Sequence, residues 1–130
     1  MDIIKNAGSD FDSMISLAKN NLPEASDCEF GICAIVKTVK KNLLIHKIAV
    51  NSVEELINEE RRIVSELEVS SDTEAEKIVC MWNNGTVDVP SYSFMQDLCK
   101  LDAKNRDARI ILNSGEGFRA VRIADIIWNR

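Results

Sequence analysis

The chain is short of the residues on which most recognisable chemistry depends. Its 130 residues include one histidine, His46, and only four Phe, two Trp and one Tyr. One imidazole weakens any multi-histidine metal site, and no Ser or Asp lies near His46 in sequence to build a nucleophile scheme. The four cysteines, Cys28, Cys33, Cys80 and Cys99, contain no C-x-x-C pair, so the usual zinc spacing is missing. They are too few and too embedded in apolar sequence for a disulfide framework, and they read as reduced thiols of a cytoplasmic compartment. No run of about 18 apolar residues occurs, which excludes a membrane-spanning helix. The start, Met1-Asp2-Ile3-Ile4-Lys5-Asn6, lacks the basic and apolar regions of a signal peptide. Gly115-Glu116-Gly117 is the one glycine-rich spot. It falls in a turn between strands and not at a helix start, so a nucleotide loop is not supported. A net charge of −5 and the absence of interleaved basic and aromatic residues argue against nucleic acid as a partner. No metal and no cofactor are expected.

What is present is ordinary for a globular domain: 45% hydrophobic and 28% charged residues, a balance typical of soluble folds. The length fits one domain over residues 1–130. Phe11, Met14, Ile15, Ala18 and Leu22 recur at helical spacing behind Ser9 as a candidate cap, and Pro23 ends that helix. Val53, Leu56, Ile57, Ile63, Val64 and Leu67 form the stripe of a second helix, started by Asn51 or Ser52. Met95, Leu98 and Cys99, widened by Phe94 and Leu101, mark a third that starts at Pro90-Ser91. Between the helices, Phe30 to Val39 and Leu43 to Val50 read as strands, as do Lys77 to Trp82 and Thr86 to Val89. Ala108 to Asn113 and Phe118 to Ile127 read as a last pair. Asn84-Gly85 is a hairpin signal of type I′, which would set Trp82 opposite Val87. The expected fold is α+β: a largely antiparallel sheet of about six strands with three helices packed on it, in an order compatible with a threefold αββ pseudo-repeat.

Charge is unevenly placed. Residues 31–50 carry four lysines and no acid, while residues 51–76 carry nine acids against two arginines, a net −7. Glu54, Glu55, Glu59, Glu66, Glu68, Asp72, Glu74 and Glu76 compose a candidate acidic face for a basic protein partner. Glu60 is the exception. It lies seven residues, about two turns, after Val53 and so falls inside the apolar stripe of its own helix. A carboxylate there needs a partner, and His46, Lys47, Arg109, Arg119 and Arg122 are candidates. Glu60 and His46 form the candidate buried polar pair.

The compact acidic α+β character, the lack of catalytic motifs and the segment Trp82-Asn83-Asn84-Gly85…Asp88-Val89-Pro90-Ser91 resemble those of bacterial toxin-immunity proteins, of the contact-dependent growth inhibition or polymorphic toxin type. The resemblance implies a cytoplasmic protein without enzymatic activity that neutralises a cognate toxin domain, often a basic nuclease, by stoichiometric binding. Docking would then use the acidic face. The alternative is a small enzyme or ligand-binding protein with a site near His46 and Glu60. Oligomeric state is left open.

Overall fold

The computed structural model describes residues 2–4, 8–24, 28–114 and 117–127. Its elements are β1 (Asp2–Ile4), α1 (Gly8–Asn20), β2 (Phe30–Thr38), β3 (Leu43–Val50), α2 (Val53–Val69), β4 (Ala75–Trp82), β5 (Val87–Asp88) and α3 (Tyr92–Leu101). A 3-10 turn (Ala103–Asp107) follows, then β6 (Arg109–Ser114), β7 (Gly117–Arg122) and α4 (Ile123–Ile127). The fold is α+β, with strands in the order β1-β7-β6-β4-β2-β3 and β5 set beside β4. The sheet is mixed: β4 and β6 run parallel, at Lys77↔Arg109 and Ile78↔Ile110, while the other pairings are antiparallel. A parallel pair needs a long crossover, and here the crossover carries β5, α3 and the 3-10 turn.

Helices cover both faces of this sheet. Alternation along β2 sends Ile32, Ala34 and Val36 to the side of α2, α3 and α4, and Cys33 and Ile35 to the side of α1. β4 divides in the same way, Ile78 and Cys80 against Val79 and Met81. That two-sided burial explains why its sequence is apolar at both parities. α1 closes its face with Phe11, Met14, Ile15 and Ala18. No helix among the described residues is long and apolar enough to cross a membrane.

Several local expectations are corrected. The Trp82–Thr86 connection is a three-residue loop. Trp82 N donates to Thr86 O at 2.8 Å, Gly85 N donates to Trp82 O at 2.8 Å, and of Asn84 and Gly85 only Gly85 has positive φ, at 87°. This is a type I turn closed by a left-handed glycine, and it sets Val87 opposite Met81 instead of Trp82. The last strand stops at Arg122 instead of running to Ile127. Ile123 and Ile127 are both buried one helical turn apart, while Asp125, which a strand would place on their face, is half-exposed and paired with Arg122. With α4 there, and β1 pairing β7 ahead of α1, the threefold αββ order is incomplete as a description. Ser9 falls inside α1 rather than before it. Residues 115–116 of the glycine-rich turn lie outside the described residues.

Candidate functional site

The N-terminal half of α3 and the middle of α2 meet over the β2–β4 part of the sheet. Each helix is launched by a serine. Ser52 Oγ accepts from Glu55 N at 3.1 Å, and Ser91 Oγ accepts from Phe94 N at 3.1 Å, as N-caps do. Pro90 is buried just ahead of Ser91, so α3 starts inside the fold and not at its surface. A capping hydroxyl still has its own proton to give. Ser91 Oγ donates it to Glu60 Oε1 at 2.6 Å, and Ser91 N donates to Glu60 Oε2 at 3.2 Å. One residue thus engages both oxygens of a carboxyl that is 6% exposed.

Above this pair is a cavity of about 200 Å³ whose lining includes Phe30, Leu56, Cys80, Trp82 and Phe94. Phe30 and Trp82 form one wall, with ring centroids 6.0 Å apart and planes at 48°. Gly31 holds that wall in place: a Cβ there would lie 2.6 Å from Asn83 Nδ2 and 3.2 Å from Asn83 Cβ, while Asn83 N donates to Gly31 O at 2.8 Å. Burial pushes the Glu60 carboxyl up from its usual range. The two bonds from Ser91 oppose that rise and the charge of Asp97 adds to it. The Cys80 thiol is pushed up by burial and by the neighbouring Glu60 charge. A carboxyl so placed keeps its proton to higher pH than a solvated one, the direction in which general acid–base sites are tuned.

His46 and Glu60, expected as a pair, have different partners. His46 Nε2 lies 2.9 Å from Glu59 Oε2, with Arg62 Nε 3.9 Å from the same oxygen. Among the described residues no cation pairs with Glu60, and His46 does not line its cavity. The acidic stretch also divides. Glu54, Glu55, Glu66 and Glu68 are exposed on α2. Glu74 lies 3.8 Å from Lys104, and Glu76 lies 2.7 Å from Lys41. Asp72 is buried and accepts from Thr38 Oγ1 at 2.6 Å and Asn42 Nδ2 at 2.8 Å. Those two bonds hold its carboxyl below the usual range. A larger cleft of about 270 Å³, lined by Gln96, Cys99, Lys100, Ala103 and Arg106, has no carboxyl in its lining and no aromatic wall. The Glu60 cavity is therefore the better candidate.

No protein-family model matches the chain, and no curated protein does. Solved structures do. A mutant cytidine deaminase from Mycobacterium tuberculosis superposes with a TM-score of 0.69 at 15% identity, covering 94% of each chain. The cytidine deaminase from the same organism gives 0.66 at 14% identity, over 94% of this chain and 97% of that one. The enzyme from Mycobacterium leprae gives 0.62 at 14%, over 93% and 99%. These likenesses overturn the immunity-protein resemblance, the toxin partner and the expectation of a chain without enzymatic character, because the structures named here are cytidine deaminases.

Zinc-dependent deaminases of nucleobases hold their metal by a His or Cys and two further Cys in the pattern H-x-E…P-C-x-x-C, with the Glu as general acid and base. Pro90-Ser91-Tyr92-Ser93-Phe94 has the proline and spacing of the second half, at a helix start, with Ser91 and Phe94 at the two cysteine positions. Glu60, 31 residues before Ser91, is bonded to the start of that segment, and two residues before it, at the spacing of the pattern's His, is Asn58, which is exposed. Ser91 is committed to the helix cap and to Glu60, and Phe94 is packed in the core. Cys80 is held as a thiol by burial, whereas a metal ligand must be a thiolate. Among the described residues no group of three His, Cys, Asp or Glu is placed to hold a metal ion. Zinc does not fit this donor set. In sequence, Asn58, Ser91 and Phe94 announce no metal pattern, and Glu60 is the one signal. The chain has the fold of the cytidine deaminases on which it superposes.

Proposed function

We propose that the protein binds a small planar nitrogen heterocycle of the pyrimidine class in the Glu60 cavity, with Glu60 as its hydrogen-bonding and proton-carrying group. The observation that carries this reading is the carboxyl of Glu60, fixed by Ser91, in the lining of an otherwise largely apolar and aromatic cavity. A few polar groups in an apolar pocket are the usual make-up of a small-molecule site. The cavity, about 200 Å³, is below the ~300–1,000 Å³ of drug-sized pockets, which suits a single ring better than a larger ligand. Each oxygen of Glu60 accepts one bond from Ser91 and keeps a second lone pair. The protonated acid also has an O–H, so donor and acceptor stand side by side. The edge of a pyrimidine base presents that same alternation. The fold supports the ligand class, because the solved structures it resembles are named for cytidine. The unpaired cysteines fit the reducing cytosol proposed for it.

Calorimetric titration with cytosine, cytidine and uracil tests the reading. At least one should bind, and Glu60→Ala should weaken that binding by roughly tenfold or more, the cost of one buried hydrogen bond to a potentially charged group. If none of the three binds at millimolar concentration, the reading fails.

A further inference from the structure

We infer that the hydrogen-bonded pair of Glu60 and Ser91 serves as the tie between α2 and α3 in place of a zinc ion, so that this chain completes the deaminase fold without metal. Three observations carry the inference, and none depends on what ligand the cavity takes. First, the tie is two-pronged. Hydroxyl and backbone N–H of one residue reach the two oxygens of one carboxylate, at 2.6 and 3.2 Å, which fixes the carboxyl plane as well as its distance. Second, the cap and the tie share an atom: Ser91 Oγ accepts from Phe94 N while donating to Glu60. The start of α3 is thus anchored to the eighth residue of α2 through one oxygen. A metal bridging two helices performs the same mechanical task, since its binding free energy becomes folding free energy. Third, Phe94, at the second cysteine position, is 2% exposed and packs in the core with Ile63, Met95 and Leu98. A benzyl side chain there adds apolar burial where a thiolate would have added a ligand, and it leaves no donor on that side of Glu60.

Metal analysis of the purified wild-type chain, with melting temperature measured before and after chelator, tests this directly. The expected result is zinc well below one per chain and an unchanged melting temperature in chelator or added zinc. Glu60→Ala should lower the melting temperature by roughly 5 °C, because it removes the tie and leaves the Ser91 N–H without its partner. Glu60→Gln, which keeps one acceptor oxygen for the Ser91 N–H and can donate its amide to Ser91 Oγ, should lose less than half as much. Stoichiometric zinc whose removal lowers the melting temperature would overturn the inference, and so would a Glu60→Ala protein as stable as wild type. The outcome is separable from that of the ligand reading: a metal-free protein that binds no pyrimidine sinks only the latter, and a zinc protein that binds one sinks only the former.

Discussion

Glu60 is a carboxyl whose environment opposes its charge, and this has a definite pH signature. Its folded pKa is raised above the ordinary value of about 4.3, so the folded state binds the proton more tightly than the unfolded state does. The stability that follows is fully present below about pH 4.3. It is lost as pH rises through the folded value. Asp72 acts in the opposite sense. Its pKa is lowered by Thr38 and Asn42, so its contribution is present above about pH 3.9 and is lost as pH falls through the folded value. Urea denaturation of wild type and Glu60→Gln at pH 5 and pH 8 separates the two. Wild type should gain stability relative to the variant at pH 5, whereas an identical difference at both pH values would contradict a carboxyl whose pKa rises on folding. Gly31 is a second informative residue. Gly31→Ala forces Asn83 away, and with it the loop that seats Trp82. It should destabilise by about 1–3 kcal/mol and shift the tryptophan emission, which fluorescence reads directly.

Element termini carry much of the specificity of this fold. Ser91→Ala removes the α3 cap and one prong of the tie together. The cap alone is worth about 0.5–2 kcal/mol, so a loss above that range in denaturant unfolding would show the prong adding to it. Ser52→Ala removes a cap of the same kind at the exposed start of α2 and is the natural control. It should stay within the cap range. Asn105 plays a joining role in the 3-10 turn. Fully buried, it accepts from Ala75 N at 2.7 Å and donates to Thr73 O at 2.9 Å and Leu98 O at 2.8 Å. It thereby joins the end of α3, the turn and the entry to β4. Asn105→Ala takes this partner from Ala75 N and Thr73 O, while Leu98 O keeps Asp102 N, and should cost about 3–5 kcal/mol, measurable as a shift of the denaturation midpoint. A cost below about 1 kcal/mol would mean that water replaces the amide.

For the molecule as a whole, the sheet is the rigid base and the candidate site is where two helices converge on one face of it. α1 seals the opposite face with a separate apolar cluster, so substitutions there should change stability while leaving ligand affinity alone. Ala18→Gly, at a fully buried helical position, should cost about 1 kcal/mol or more with no change in pyrimidine Kd by titration. A ligand that binds only the folded state at a hundred times its Kd should stabilise by about 2.7 kcal/mol. At the same ligand concentration that increment should fall to about 1.4 kcal/mol or less in Glu60→Ala and persist in Ala18→Gly.

Much of this was legible in the order of residues. The stripes of α2 and α3, the capping serines, the two-sided burial of β4 and the anomaly of Glu60 all follow from periodicity and local hydrogen bonding, which act over a few residues. The partner of Glu60 was not legible. Ser91 lies 31 residues away and already has a sufficient local reason to be a serine, namely the cap. His46 was the natural counter-charge on paper, yet side-chain reach assigns it to Glu59, the residue beside Glu60 on α2. The acidic stretch shows the same limit, because Asp72, Glu74 and Glu76 have partners inside the protein that no charge count displays. Sequence alone therefore determined α2 and α3 with their serine caps, the central strands and the one carboxylate in the wrong place, but neither β1 nor α4. The tertiary structure decided what that carboxylate meets, Ser91, because that depends on distances between helices that only their packing on a common sheet defines.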